Sequence, residues 1–230
     1  KFRVRLDARG NIYVADCVKP RGKRWPEFFN GKLDGTGDSS AFWTQHTYGS
    51  IVKFPNEGGA IWFDKSDRNK NRRDSKPTPM YTEGAYPKKL AAKPELPMSY
   101  SPGSSKLVDG TVQGAEWVRF GFSPYGYKWG AGSSLCHCVN FSFDVDDFGR
   151  VFYPELSRFR LNMIDTSNNW LGSIGRYGNQ NFEARGDDVP FAWPTLVAVS
   201  DNYAYVNDAL NMRVVRIKLG YHVDRTCPVQ

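Results

Sequence analysis

An internal repeat constrains the fold of this chain more than any other feature of its sequence. The segment LDARGNIYVAD (6–16) aligns with VDDFGRVFYPE (145–155), and PTLVAVSDNYAYVND (194–208) follows the same plan with a shorter turn. The alignment matches Asp7 with Asp146, Gly10 with Gly149, Tyr13 with Phe152 and Tyr205, and Asp16 with Glu155 and Asp208. Repetition of such a unit indicates that the copies stack on one another, because a single copy leaves its apolar surface exposed.

Each copy is predicted to consist of β-strands joined by turns. The turns ARG, DFG and SDN contain Gly, Asn or Asp, which tolerate positive φ angles. An aromatic content of 15%, with 22 glycines and 14 prolines, is typical of many short strands. The third and fourth strands are predicted at 49–54 and 59–63 in the first unit, at 159–165 and 170–175 in the second, and at 213–219 with a weak 221–223 in the third.

These units resemble the NHL-type repeats of β-propellers. The resemblance lies in an apolar strand that ends in Asp, followed by GNIYVAD (10–16), the pattern N-x-R-V-V-R (211–216) and a strand that ends in Gly. It implies an all-β fold, a β-propeller of four-stranded antiparallel blades, in which residues 1–230 form one propeller region. The blade-like units are 2–63, 139–178 and 194–223.

The segment 136–155 and the close of the chain also resemble C-terminal propeller regions of large secreted bacterial multidomain proteins. This second resemblance implies an extracytoplasmic location, periplasmic or secreted. Because propellers have at least about four blades and only three units are clear, the propeller is expected to be partial. Residues 116–122 (EWVRFGF) are a candidate for part of a degenerate fourth unit. Otherwise other protein chains, or an upstream part of the same polypeptide, are expected to complete the ring.

Two long insertions, expected to be irregular, interrupt the repeat at 17–48 and 64–135. The second contains a stretch dense in Pro and Tyr (76–103), which favours a loop or an extended chain laid over a surface. Long loops on a rigid scaffold often carry function, although a purely structural wrap is an equal alternative. The chain starts at Lys1 with neither an initiator Met nor a signal peptide, so we interpret it as a processed, truncated or partial product.

The net charge of +7 is concentrated in KPRGKR (19–24) and DKSDRNKNRRDSK (64–76). Arg68, Arg72 and Arg73 are therefore candidate ligands for an anionic partner, with a solvated loop as the favoured alternative. Aromatic residues are not interleaved with this run, so nucleic acid is not the expected partner. No apolar run approaches the roughly 20 residues of a membrane span.

Histidine and cysteine residues are the remaining candidates for chemistry. His46 lies beside Trp43 in AFWTQHTYG (41–49) and is a candidate ligand-binding residue, although simple packing is favoured. Cys136, His137 and Cys138 are a candidate metal site, but their spacing is unlike the usual C-x₂₋₄-C. The even count of four cysteines favours disulfides instead. A C-x₂-C-H motif is missing, so covalent haem is not expected, and the cofactor is unknown beyond a possible metal ion.

Carboxylates recur at equivalent places in the repeat, which favours structural roles such as turn capping over catalysis. Trp193, in FAWP (191–194), is a candidate for packing between blades. Without a nucleophile elbow, a P-loop or a zincin motif, the sequence favours a non-catalytic binding or scaffold module of a larger extracytoplasmic protein or complex. The alternative is a metal- or haem-associated enzyme subunit, lactonase-like, lyase-like or redox, that uses residues on the propeller face.

Overall fold

The structure is a computed structural model that describes residues 3–16, 18–23, 49–63, 95–100, 108–122, 142–155, 158–179, 181–182 and 189–220. These residues form β-strands and turns with no α-helix, which confirms the all-β prediction for the described part of the chain. The strands are β1 (Arg3–Leu6), β2 (Ile12–Asp16), β3 (Val18–Pro20), β4 (Gly49–Phe54), β5 (Ala60–Phe63), β6 (Glu95–Tyr100), β7 (Val108–Gln113), β8 (Trp117–Phe122), β9 (Asp144–Val145), β10 (Val151–Glu155), β11 (Arg160–Ile164), β12 (Trp170–Ile174), β13 (Arg176–Tyr177), β14 (Pro190–Phe191), β15 (Pro194–Val199), β16 (Tyr203–Asp208) and β17 (Arg213–Lys218).

Four antiparallel sheets contain most of these strands. In order across each sheet, sheet I is β1-β2-β4-β8, sheet II is β3-β6-β7-β5, sheet III is β9-β10-β11-β12 and sheet IV is β15-β16-β17. A short parallel pair, β13 with β14, lies between sheets III and IV in sequence. None of the four sheets closes on itself.

Sheets III and IV follow the strand positions predicted from the repeat. In each of them, consecutive strands pair in antiparallel fashion. In sheet III, β10 pairs with β9 and β11, and β11 pairs with β12. In sheet IV, β16 pairs with both β15 and β17. The predicted weak fourth strand at 221–223 lies outside the described residues.

Sheet I corrects the prediction for the first unit. Its third strand, β4, pairs with β2 as expected, but its fourth strand is Trp117–Phe122. The segment predicted as the fourth strand, Ala60–Phe63, pairs with Val108–Gln113 in sheet II. The suggestion that residues 116–122 belong to a fourth unit is therefore also wrong. In sheet I, Trp117 packs edge-on against Tyr13, with ring centroids 5.9 Å apart, and this contact accompanies the pairing of β8.

Sheet II shows that the predicted insertions are not wholly irregular. Its strand β3 lies within the first insertion, and β6 and β7 lie within the second. Strand β6 begins at Glu95 inside the Pro-rich stretch that was predicted as a loop or extended chain. Alternating residues of a strand point to opposite faces, so even this short sheet offers one apolar face to a neighbour.

The sheets are stacked face to face in the order II, I, III, IV, because three hydrophobic clusters lie between them. Sheets I and III bury both faces, and each large apolar side chain buried there contributes about 1.5–3 kcal/mol. The cluster between sheets II and I contains Val18, Val52, Phe54, Met98 and Val112. The one between sheets I and III contains Tyr13, Ala15, Ile51, Phe143, Val151, Tyr153 and Ile164. The one between sheets III and IV contains Phe152, Leu161, Phe191, Val197, Ala204, Val206, Ile217 and Leu219.

Polar contacts fix the register between neighbouring sheets. Ser142, just before β9 of sheet III, accepts hydrogen bonds through its Oγ from Arg3 Nη1 at 3.1 Å and from the backbone N of Val197 at 2.7 Å, and so joins sheet III to sheets I and IV. Asp144 bonds to Arg5 through one oxygen and accepts from the backbone N of Val199 through the other. As a result, the first strands of sheets I, III and IV lie next to one another.

Candidate functional site

The residues predicted as sites from the sequence lie outside the described residues. They are Trp43, His46, Arg68, Arg72, Arg73, Cys136, His137 and Cys138. All four cysteines lie outside as well, so the structure gives no information on disulfides or on a cysteine metal site. Within the described residues, no group of three His, Cys, Asp or Glu side chains is arranged to hold a metal ion. The described part of the chain also has no helix that is long and apolar enough to span a membrane.

Carboxylates at the ends of first strands cap turns, as their repetition predicted. Asp7 Oδ1 accepts from the backbone N of Arg9 at 2.9 Å and of Asn11 at 3.0 Å. Asp146 Oδ1 accepts from the backbone N of Phe148 and Arg150 in the same way. Both carboxylates are satisfied by the loop that follows them, so they are structural.

An acid–arginine pair closes the loop between the second and third strands of sheets III and IV. Arg160 Nε donates to Glu155 Oε2 at 2.8 Å, and Arg213 Nε donates to Asp208 Oδ2 at 3.2 Å. The arginine follows its acid by the same spacing in both units. This pair is therefore a feature of the repeat.

A left-handed residue precedes the arginine in both loops. Phe159 has a φ of 55° and Met212 a φ of 49°. Positive φ is unusual for residues with bulky side chains, and an isolated case would suggest functional strain. Its recurrence at the same repeat position indicates instead that this loop shape belongs to the fold.

In sheet IV the buried acid is satisfied by neutral groups and one arginine. Asp208 Oδ1 accepts from the backbone N of Ala192 at 2.9 Å and of Trp193 at 2.8 Å. Its Oδ2 accepts from Asn211 Nδ2 at 2.6 Å and from Arg213. These bonds hold the strand entry and the loop of sheet IV together.

In sheet III the equivalent acid has a more cationic environment. Arg158 occupies the position in the loop of sheet III that Asn211 occupies in the loop of sheet IV. Arg158 Nε lies 3.4 Å from Glu155 Oε1. Arg160 and Asn162 Nδ2 both donate to Glu155 Oε2, at 2.8 Å and 2.9 Å. Glu155 thus contacts two guanidinium groups.

A second departure from the repeat occurs on the face of sheet III that points to sheet I. In sheets I and IV, the equivalent cross-strand pair is Val14–Val52 or Val206–Val215. In sheet III the pair is Tyr153–Asn162. At this one cross-strand pair, sheet III carries polar groups where the other two sheets carry valines.

These departures surround a cavity of about 500 Å³ between sheets I and III that extends to the turn after β3. Among the described residues that line it, four are cationic and one is acidic: Lys23, Arg119, Arg158, Arg160 and Glu155. Its volume is within the range of small-molecule sites, about 300–1,000 Å³. The described walls have a clear excess of positive charge.

Trp170 anchors two of the guanidinium groups. The Cζ atoms of Arg119 and Arg160 lie 5.8 Å and 5.5 Å from the centroid of the Trp170 ring. Arg119 Nη1 also donates to Asn168 Oδ1 at 3.4 Å. Cation–π contacts of this kind restrain the arginine side chains without neutralising their charge.

Two polar side chains complete the inner wall. Burial raises the pKa of Tyr153, although the neighbouring Arg119 opposes this, and the phenol therefore stays protonated at neutral pH. Asn162 is buried, and its Oδ1 has no hydrogen-bond partner among the described residues. A buried acceptor without a partner costs about 1–3 kcal/mol, so it is a wall group that water or a ligand would satisfy.

The outer face of sheet IV is a second feature of functional interest. We define it by Leu196, Tyr205, Val214, Arg216 and Lys218, which share one side of the sheet. Val214 is 66% exposed and Tyr205 38% exposed. These are large apolar exposures for residues in the middle of a sheet.

The repeat shows what this face corresponds to. Tyr13 and Phe152 occupy the place of Tyr205, and each is buried against the next sheet in the stack. Ile51 and Leu161 occupy the place of Val214 and are buried in the same two clusters. Residues on the outer face of sheet IV are therefore equivalent to residues that pack against a following sheet elsewhere in the molecule.

Sequence reasoning missed the cavity, because its described lining residues come from the second repeat unit and from both insertions. The available signal was the mismatch between repeats: Arg158 against Asn211, and Asn162 against Val215. No protein-family model matches the chain, and no curated protein matches it either.

Proposed function

We propose that the chain is a non-catalytic binding and scaffold module, a partial NHL-like β-propeller within a larger extracytoplasmic assembly. The observation that carries this proposal is the outer face of sheet IV, where Tyr205 and Val214 occupy positions that are buried in the preceding sheets. The adjacent first strands of sheets I, III and IV support a radial arrangement, since the first strands of propeller blades line a common axis.

The expected occupant of this face is a further antiparallel sheet of the same kind. Between sheets I and III, Lys53 Nζ, which has the place of Arg216, donates to the backbone O of Thr166 at 3.1 Å. Trp117 Nε1 donates to the same oxygen at 2.9 Å. Arg216 is accordingly expected to donate to the corresponding turn of the incoming sheet.

A second copy of this chain is the occupant to which the proposal commits. The described residues of each copy form four stacked sheets, so two copies joined head to tail would make a ring of about eight, at the upper end of common propellers. A longer form of the same polypeptide, or a different protein chain, would be an alternative source of the missing sheets.

Sedimentation velocity over a range of concentrations tests this assignment. The wild-type chain of 26.1 kDa is expected to form a species of twice that mass. Val214→Glu should weaken this association at least about 10-fold, because it places an unpaired charge in an apolar interface. Met212→Glu is the matched control, since Met212 is 85% exposed in the turn beside the sheet.

A wild-type chain that stays monomeric at every concentration would contradict completion by a second copy. Equal weakening by Val214→Glu and Met212→Glu would show that this face is not the interface. The enzyme alternative is tested separately by elemental analysis and an absorption spectrum, since stoichiometric metal or a Soret band would contradict a non-catalytic module. The extracytoplasmic location predicts disulfides, and thiol titration of the denatured, unreduced protein measures them.

A further inference from the structure

We propose that the cavity between sheets I and III binds a small organic anion through a carboxylate or phosphate group. This inference is independent of whether the outer face of sheet IV binds another sheet. It rests on four cationic side chains among the described lining residues, Lys23, Arg119, Arg158 and Arg160, with one carboxylate among them. Positive side chains that converge on a partly enclosed space favour an anion, because the enclosed site is less well screened than bulk water.

Two of the three arginines that line the cavity are not a by-product of the repeat. Arg160 has a counterpart in Arg213 and belongs to the loop architecture. Arg119 instead occupies the cross-strand position that is Ile174 in sheet III. Arg158 occupies the place of Asn211. Two cations are thus present at positions where the fold accommodates uncharged residues.

The polar wall departs from the repeat at the same place. Tyr153 and Asn162 replace a pair of valines on the face that points to sheet I. Replacing aliphatic contacts by polar groups removes buried apolar area and leaves Asn162 Oδ1 without a partner in the part of the chain that the structure describes. Sheets I and III thus both differ from the repeat at residues that line the same cavity. Such differences are expected of a binding site, and the packing of the sheets on one another does not require them.

The guanidinium groups are positioned in advance of binding. Trp170 lies against both Arg119 and Arg160, and Glu155 binds Arg160 through its Nε and Nη2, each at 2.8 Å. Planar guanidinium groups match the two oxygens of a carboxylate or phosphate, and restrained side chains lose less entropy on binding. Lys23 is exposed at the turn after β3 and supplies charge at the mouth of the cavity.

Isothermal titration calorimetry on the full chain tests the proposal with four probes. D-Glucuronate offers a carboxylate, D-glucose 6-phosphate offers a phosphate, and D-glucose and inorganic phosphate separate the sugar from the anion. We expect at least one of the two organic anions to bind with a dissociation constant below about 10 mM, while neutral glucose does not bind. The tighter of the two names the anionic group that the cavity prefers.

Repeat-matched variants locate the binding site. Arg158→Asn and Asn162→Val introduce the residues found at the equivalent positions of sheet IV, and both are therefore expected to fold. Arg158→Asn should weaken anion binding at least about 10-fold, because a charge-assisted hydrogen bond is lost. Arg9→Gln removes one positive charge from the exposed turn between β1 and β2, which does not line the cavity, and should leave the affinity unchanged. A thermal melt of each variant verifies folding.

Three results would overturn the proposal. One is no binding of either organic anion by the wild-type chain, and another is equal binding of neutral glucose. The third is anion affinity that Arg158→Asn and Arg9→Gln reduce equally, which would indicate a general response to net charge rather than a site at this cavity.

Discussion

Tyr13 and Tyr205 occupy the same position of the repeat, but Tyr13 is completely buried between sheets I and III whereas Tyr205 is 38% exposed. The Tyr13 hydroxyl donates to Asp7 Oδ2 at 3.0 Å and lies 3.4 Å from Thr166 Oγ1 in the neighbouring sheet. Among the described residues, sheet III packs against the ring of Tyr13, whereas no sheet packs against the ring of Tyr205. The difference gives a direct measure of what stacking contributes.

Tyr13→Ala is expected to lower the free energy of unfolding by about 3–5 kcal/mol, as is typical for truncation of a large aromatic residue in a core. Tyr205→Ala should cost less than about 1 kcal/mol in a dilute, monomeric sample, because no sheet of the described residues packs on its ring. Urea denaturation followed by circular dichroism measures both values. Similar costs for the two variants would contradict the assignment of Tyr205 to an unoccupied face.

The turn at Asp7 predicts a loss of stability in acid. Partial burial alone would raise the pKa of Asp7, but hydrogen bonds from Asn11, Tyr13 and the backbone N of Arg9 bring it below its usual value of 3.8. A carboxyl group whose pKa is lowered in the folded state stabilises the fold above its unfolded pKa. That contribution is lost as the pH falls through the lower folded value.

Asp7→Asn should therefore reduce the dependence of Tm on pH below about pH 5. Hydrogen bonds also lower the pKa of Asp165, against the effect of its slight burial, so Asp165→Asn should add to the effect. Thermal melts between about pH 7 and pH 3 provide the test. Curves for the wild type and the double variant that run parallel over this range would show that these turns do not contribute to acid sensitivity.

The segment FAWP predicts a contrast between two neighbouring aromatic residues. Trp193 is half-buried, whereas Phe191 is fully buried in the cluster between sheets III and IV. The aromatic residue that packs between these sheets is therefore Phe191. Its ring also approaches Gly175 so closely that a Cβ there would lie 2.4 Å from Phe191 Cδ2.

Phe191→Ala is expected to cost about 3–5 kcal/mol of unfolding free energy, while Trp193→Ala should cost clearly less. The backbone N of Trp193 donates to Asp208 Oδ1, and the alanine variant retains that bond. Chemical denaturation of the two variants side by side makes the comparison. A larger cost for Trp193→Ala than for Phe191→Ala would support the sequence-based prediction that Trp193 packs between blades.

The repeat predicted sheets III and IV well because their strands are consecutive in the chain. Acid and arginine at a constant spacing, with a turn between, fix the strand order locally. The same reasoning failed for the fourth strand of sheet I. Ala60–Phe63 follows β4 after a short turn, and neighbouring strands usually pair, but Trp117–Phe122 takes that edge. Pairing between distant segments depends on side-chain fit that a local pattern does not contain.

The candidate cavity could not be assembled from the sequence for a similar reason. Arg119 and Arg158 line the same cavity only because sheet I packs on sheet III, and neither residue is part of a recognisable motif. Once the stack is known, the departures from the repeat point to both. The sequence thus contained the residues that differ between the repeats, but it did not show that these residues lie close together in the structure.

The chain passes from sheet I to sheet II and back twice between Arg3 and Phe122, since β3 and β5 to β7 belong to one sheet and β4 and β8 to the other. Sheets III and IV, by contrast, are each drawn from one uninterrupted stretch. In genetic terms, duplication or deletion of one stretch could add or remove sheet III or IV whole. A break between β2 and β8 would divide sheets I and II together, so a duplication or deletion that keeps both sheets intact has to take residues 3–122 as one unit.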